Sequence, residues 1–349
     1  MNKKLTIEEK VCQKLILGCN SSNIDLIVEL IEKYAIGGVI LYRRNYSSYE
    51  EMVDVINKLK IANRNNKVPL FISIDQEGGR VNRLPSEFEK LRNVYDMSKN
   101  DKKLIYQNGL ITGEILSSLG INMNLAPVLD IYNDSSKVLY KRCFYGNVSA
   151  CGIEYINGLK EHNVIATPKH FPGHGISRID SHLIAPYIWN KKKLDIHMKP
   201  FMDVINNGID SLMVSHLMIR GMSGLVSASI SNNFIKKHIR EKYNYNGLII
   251  TDEIGMILRG RLFLFNILKK AILSDGDLIL MKVSGKDKKV IDKIISFVKK
   301  SNSEDIIDKS VERILSVKGK YKINDDMVNK DINITKINKE IEKINKMCL

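Results

Sequence analysis

No apolar run in these 349 residues approaches the ~20 residues a helix needs to span a bilayer, so no membrane partner is expected. The opening stretch Met1 to Lys10 is basic but holds no hydrophobic segment, because Glu8, Glu9 and Lys10 interrupt it. A secretory signal is therefore not expected, and a cytoplasmic location is. Cysteines are few and odd in number (Cys12, Cys19, Cys143, Cys151, Cys348), with no Cys-x-x-Cys pair. That pattern argues against a disulfide framework or a structural zinc site and for a reducing compartment. Internal repeats and Pro/Gly/Ser-rich linkers are missing too, so nothing marks a second domain. A dense basic patch is also lacking. The formal net charge is +15, but the lysines are scattered among Asn, Ile and Glu. A solvated surface explains them better than a nucleic-acid interface, and no nucleic-acid partner is expected.

What is present is a series of short, continuous apolar runs separated by helix-length amphipathic segments. The runs are 37–42, 70–74, 121–125, 164–167, 211–215, 248–251 and 277–281. Runs of this length fit strands covered on both faces, as in parallel sheets. Spacers such as Ser48 to Asn63 and Asp195 to Asn207 supply the helical crossovers. Seven or eight such units predict an α/β chain forming a single-domain (β/α)₈ TIM-like barrel over residues 1–317, with a doubly wound open sheet as the alternative. Residues 318–349, rich in Lys, Asn, Asp and Ile, are expected to form a polar tail or peripheral helix.

Several runs end directly in polar side chains: Asp75-Gln76-Glu77, Lys169-His170, His216 and Asp252-Glu253. In a barrel these ends converge on one rim, where catalytic residues gather. The segment Lys169-His170-Phe171-Pro172-Gly173-His174-Gly175 cannot continue a helix, since a proline and two glycines interrupt it. His170 and His174 are therefore not a helical metal pair, and no metal or cofactor is implied. Asp180 and His182 lie two apart, and an Asp beside a His can hold the ring and stabilise its charged form. In the run from Asp75 to Arg83, acidic residues can accept hydrogen bonds from hydroxyls, and Gly78-Gly79 lets the backbone approach closely. Asp252, at the mouth end of a strand, can serve as a nucleophile or simply cap the segment that follows.

Taken together, these segments resemble glycoside hydrolase family 3, in particular its single-domain β-N-acetylglucosaminidases of cell-wall-recycling type. The resembling blocks, in order, are 37–45, 75–83, 124–130, 169–175 with Asp180-Ser181-His182, and 251–256. The resemblance implies that Asp252 is the nucleophile of a retaining hydrolysis and that His182, oriented by Asp180, is the general acid/base. It places Asp75, Arg83, Arg142, Lys169 and His170 around the terminal sugar. The implied substrate is an amino-sugar oligosaccharide or muropeptide fragment, and the default assembly is a monomer. Two segments depart from the family pattern: Gly255 stands where Ser is usual, and 274–277 is a drifted form of the usual alanine-glycine-alanine-aspartate. A substrate-assisted hexosaminidase using Asp252-Glu253, a catalytically silent sugar-binding barrel, and phosphate in place of water as acceptor are the rival readings.

Overall fold

The computed structural model describes residues 4–19, 21–22, 24–132, 138–177, 186–257 and 262–348. Among these, eight parallel strands form one ring: β1 (Leu15–Cys19), β2 (Gly38–Leu41), β3 (Phe71–Ile74), β4 (Met123–Asn124), β5 (Ile165–Ala166), β6 (Ser211–Val214), β7 (Leu248–Thr251) and β8 (Ile279–Val283). Strands β1 to β5 pair in sequence order, and β8 pairs with β1 over five residues, from Leu15 with Ile279 to Cys19 with Val283. Strands β6 and β7 pair from Ser211 with Leu248 to Val214 with Thr251. Single bridges close the two remaining gaps, Phe171 with Val214 and Ile250 with Leu278. Sequential order together with a first-to-last pairing is a barrel, and it sets aside the open doubly wound sheet, whose strand order reverses.

Six of the seven sequence candidates contain a strand within their bounds, and the seventh, 277–281, overlaps one that runs on to Val283. The strand that periodicity did not resolve is β1. It follows the short helix Ile7–Gln13 by one residue, and only Gln13 and Lys14 part the buried apolar residues Val11 and Cys12 of the helix from Leu15 to Leu17 of the strand. The helix Tyr49–Asn63 begins where Ser48 accepts a hydrogen bond from the Glu51 N–H, as an N-cap does. The helix expected from Asp195 starts earlier, at Lys191 under an Asn190 cap, and carries Pro200 within it.

Phe71, Met123, Ile165, Met213, Leu248 and Leu280 fill the inside of the ring. Ile314 and Val317 of the helix Glu304–Lys320, with Tyr321 just after it, join the same cluster. That helix closes the bottom of the barrel. Its fully buried Lys318 Nζ donates to Gly37 O (2.8 Å), Pro69 O (2.6 Å) and Gln13 Oε1 (3.0 Å), all at the entry ends of strands. Three acceptors thus face the Nζ, although burial still pushes the Lys318 pKa down to about 7. Further on, the helix Ile334–Lys346 buries Ile337, Ile341 and Ile344. With the bottom of the ring filled, the barrel interior opens at the opposite rim, at the exit ends of the strands.

Candidate active site

At that rim lies a cavity of about 230 Å³. Asp75, Arg83, Arg142, Lys169, His170 and Asp252 all line it, although they come from four different strand-exit segments. Asp180 and His182, the expected acid/base pair, lie outside the described residues, which stop at Ser177 and resume at Pro186.

The turn after β3 has a rigid frame. Gln76 is buried; its Oε1 accepts from the Arg83 N–H and its amide donates to Asn82 Oδ1. The Asn124 side chain clasps the Gln76 backbone, accepting from its N–H at 3.0 Å and donating to its carbonyl at 2.9 Å. Gly79 has φ +55, and a Cβ there would stand 2.6 Å from Asn93 Cβ, so the turn needs glycine at this position. Locking the turn places Asp75 and Glu77 beside the exit of β5.

There the fully buried Lys169 Nζ meets Asp75 Oδ1 at 2.6 Å and Glu77 Oε1 at 2.8 Å. Burial disfavours its charge, but Asp75 and Glu77 outweigh burial and raise its pKa. Glu77 also grips Arg142, with Oε2 accepting from Nε at 2.7 Å and Oε1 from Nη2 at 2.8 Å. Burial alone would raise the Glu77 pKa; Lys169 and Arg142 reverse that and hold it far below the usual carboxylate range.

His170 is held by Asp130, a fully buried carboxylate whose Oδ2 lies 2.7 Å from Nδ1. The other Asp130 oxygen accepts from the His174 N–H. Burial pushes the His174 pKa down, which keeps its ring neutral, and its edge faces His170 with ring centroids 6.1 Å apart. Against burial, His170 and His174 pull the Asp130 pKa below its ordinary value.

Asp252 leaves β7 with its own N–H donating to Val214 O at 2.9 Å. Its Oδ1 accepts from the Glu253 N–H at 2.8 Å. Burial disfavours its charge, yet His216, His170, that N–H and Lys169 together lower its pKa, so it is an ionised carboxylate at neutral pH. His216 is buried between Ser229 Oγ (2.6 Å from Nδ1) and the Glu253 carbonyl (2.9 Å from Nε2), which pins the peptide that follows Asp252. Glu253 Oε1 is taken up by the N–H groups of Gly255 and Lys282, at 2.9 and 3.2 Å. A Cβ on Gly255 would lie 2.8 Å from that oxygen, which gives a local reason for glycine where the family pattern has serine.

Glu77, Asp130, His174, Tyr42 and Lys282 also line or support the cavity; sequence reading gave Glu77 only the general part of a hydroxyl acceptor and assigned the other four no role. For Glu77 and Asp130 a signal existed, since both sit in the blocks 75–83 and 124–130. Tyr42 likewise sits in the block 37–45, whereas Lys282 gave no signal, because it continues an apolar run.

Three depressed carboxylates make stability depend on acid. As pH falls, the unfolded chain takes up protons near the ordinary values, about pH 4, before Glu77, Asp130 and Asp252 do so in the fold. Their contribution is complete above that range and is lost as pH drops through the lower folded values. Denaturant midpoints should therefore be flat in this respect from pH 7 to 5 and fall steeply below about 4.

The family model for the glycosyl hydrolase family 3 N-terminal domain matches residues 6–317. A beta-hexosaminidase of Psychromonas ingrahamii is 31% identical over 267 residues, covering 72% of this chain and 77% of that protein. A beta-hexosaminidase of Actinobacillus pleuropneumoniae serotype 5b is 31% identical over 269 residues, covering 73% and 76%. Among solved structures, the family 3 β-N-acetylglucosaminidase of Paenibacillus sp. str. FPU-7 superimposes with a TM-score of 0.88 at 30% identity, covering 99% of this chain and 69% of that one. With a ring of strands, a polar rim and a match over most of its length, the chain belongs to glycosyl hydrolase family 3 and is a glycoside hydrolase.

Proposed function

We propose that this chain is a retaining exo-β-N-acetylglucosaminidase that releases terminal β-linked N-acetylglucosamine, with muropeptide fragments in the cytoplasm as the natural substrate. The observation that carries the reading is an ionised Asp252 facing one cavity together with Asp75, Arg83, Arg142, Lys169 and His170. At about 230 Å³ that cavity falls below the roughly 300–1,000 Å³ of pockets for larger ligands, which suits one sugar ring and hence cleavage from a chain end. The beta-hexosaminidase relatives support an amino-sugar substrate.

In the first step Asp252 attacks the anomeric carbon while protonated His182, steadied by Asp180, gives its proton to the leaving oxygen. The C–O bond to the leaving group breaks as the glycosyl-aspartate ester forms. In the second step neutral His182 takes a proton from water, the water oxygen attacks the anomeric carbon, and Asp252 leaves with net retention. A histidine in this role carries no negative charge to repel the anionic Asp252. Asp75, Arg83, Arg142, Lys169 and His170 hold the hydroxyls and the acetamide.

The substrate-assisted reading needs Glu253 or Asp252 to act on the acetamide. Glu253 is only 8% exposed and its Oε1 is engaged by two backbone N–H groups, which leaves it poorly placed for that work. A second acid/base reading has a specific observation in its favour: His170 lines the cavity and is braced from behind by the fully buried Asp130. Turnover of a chromogenic N-acetyl-β-glucosaminide, with the β-glucoside as comparison, tests the function. Preferential release from the aminosugar is expected; equal rates on both, or none on either, would overturn it.

A further inference from the structure

Among the described residues, Glu77 is the one acidic group on the cavity wall whose two oxygens are both spent on side-chain cations. It is 6% exposed, and it joins a linear series Asp75–Lys169–Glu77–Arg142 in which charges alternate and sum to zero. Removing Glu77 would leave Lys169 paired with Asp75 and Arg142 with no carboxylate on it, so the series would carry one positive charge to which an anion is drawn. With Glu77 present the cations still have protons to offer. Lys169 has three and gives two to carboxylates, and Arg142 has five, of which three go to Glu77 and the Val138 carbonyl. Those remaining N–H groups suit neutral oxygen acceptors, because the charge behind them is already matched.

We propose that Glu77 is the positioning and selectivity residue of this pocket: it fixes Lys169 and Arg142 in one orientation and cancels their charge, so that the site takes neutral hydroxyls and an acetamide and turns anions away. The substrate half of this statement rests on the aminosugar reading above; the charge half does not.

Glu77→Gln is nearly isosteric and changes the series from neutral to one positive charge. Its KM for a chromogenic N-acetyl-β-glucosaminide should rise at least about 10-fold with a smaller fall in kcat. Inorganic phosphate, weak on the parent enzyme, should become a competitive inhibitor at least about 10-fold tighter and should raise the Tm of the variant but not of the parent. Glu77→Asp keeps the charge and shortens the reach, so it should raise KM while staying insensitive to phosphate. A folded Glu77→Gln with parental KM and no phosphate response overturns the proposal. If that variant does not fold, Glu77→Asp decides: parental KM, or stabilisation by phosphate, overturns it. Should the parent enzyme turn over no aminosugar, the function above fails, while the Tm response to phosphate still decides the charge statement.

Discussion

Asp252→Asn should retain the fold and lose at least about 10⁴-fold in kcat on any β-N-acetylglucosaminide, because an amide cannot form and release the glycosyl ester. The loss should fall on both steps, since the same oxygen attacks first and departs later. Binding of N-acetylglucosamine should survive, as Asp75, Lys169, Glu77 and Arg142 hold one another in series independently of Asp252. The carboxylate is well suited to attack. It has the Glu253 N–H on one oxygen, and His216, His170 and Lys169 keep it ionised despite burial. Measurement of kcat with product binding followed separately, by calorimetry, checks the point. A variant retaining a tenth of the parental rate would remove Asp252 from the reaction.

His182→Ala should cost roughly 10²–10⁴-fold on glycosides whose leaving oxygen needs a proton, and far less in the first step on a dinitrophenyl glycoside, whose leaving group departs as the anion. Pre-steady-state glycosylation separates the two. The same pair of substrates distinguishes the rival dyad. If His170, braced by Asp130 at 2.7 Å, delivers the proton, His170→Ala shows the leaving-group dependence and His182→Ala does not. If His170 only holds the sugar, its loss raises KM for both substrates alike. Equal damage to both substrates by His182→Ala would end its assignment as acid/base.

The barrel was legible in the sequence because parallel strands covered on both faces read as short unbroken apolar runs, and seven of the eight stood apart between turn residues. The run 248–251 coincides with β7, whereas Ile121–Leu125 shrinks to the two residues of β4, where pairing is brief. Strand β1 did not stand apart from the helix before it, since no turn residue separates Val11 and Cys12 from Leu15 to Leu17, and the Gln13 and Lys14 between them are buried as well. At the site, side chains at strand exits were visible as polar residues ending apolar runs, which is why Asp75, Lys169, His170 and Asp252 could be named. Their partners were not. Glu77 looked like another acceptor for sugar hydroxyls, but only coordinates reveal that Lys169 and Arg142 consume both its oxygens. Asp130 lies 40 residues before His170, and no local pattern links them. Lys282 is hidden in β8, a strand whose outward and inward faces cannot be told apart when nearly every residue is apolar.

Everything chemical above depends on a covalent bond between a sugar and one aspartate. The most direct test is a 5-fluoro-N-acetyl-β-glucosaminyl fluoride: its ring fluorine slows both steps, and its fluoride leaves without a proton. Time-dependent inactivation followed by peptide mass mapping should find one fluorosugar attached to the peptide that carries Asp252. Label on another residue, or continued turnover with no label while a thiazoline analogue of the acetamide-cyclised sugar binds tightly, would contradict it.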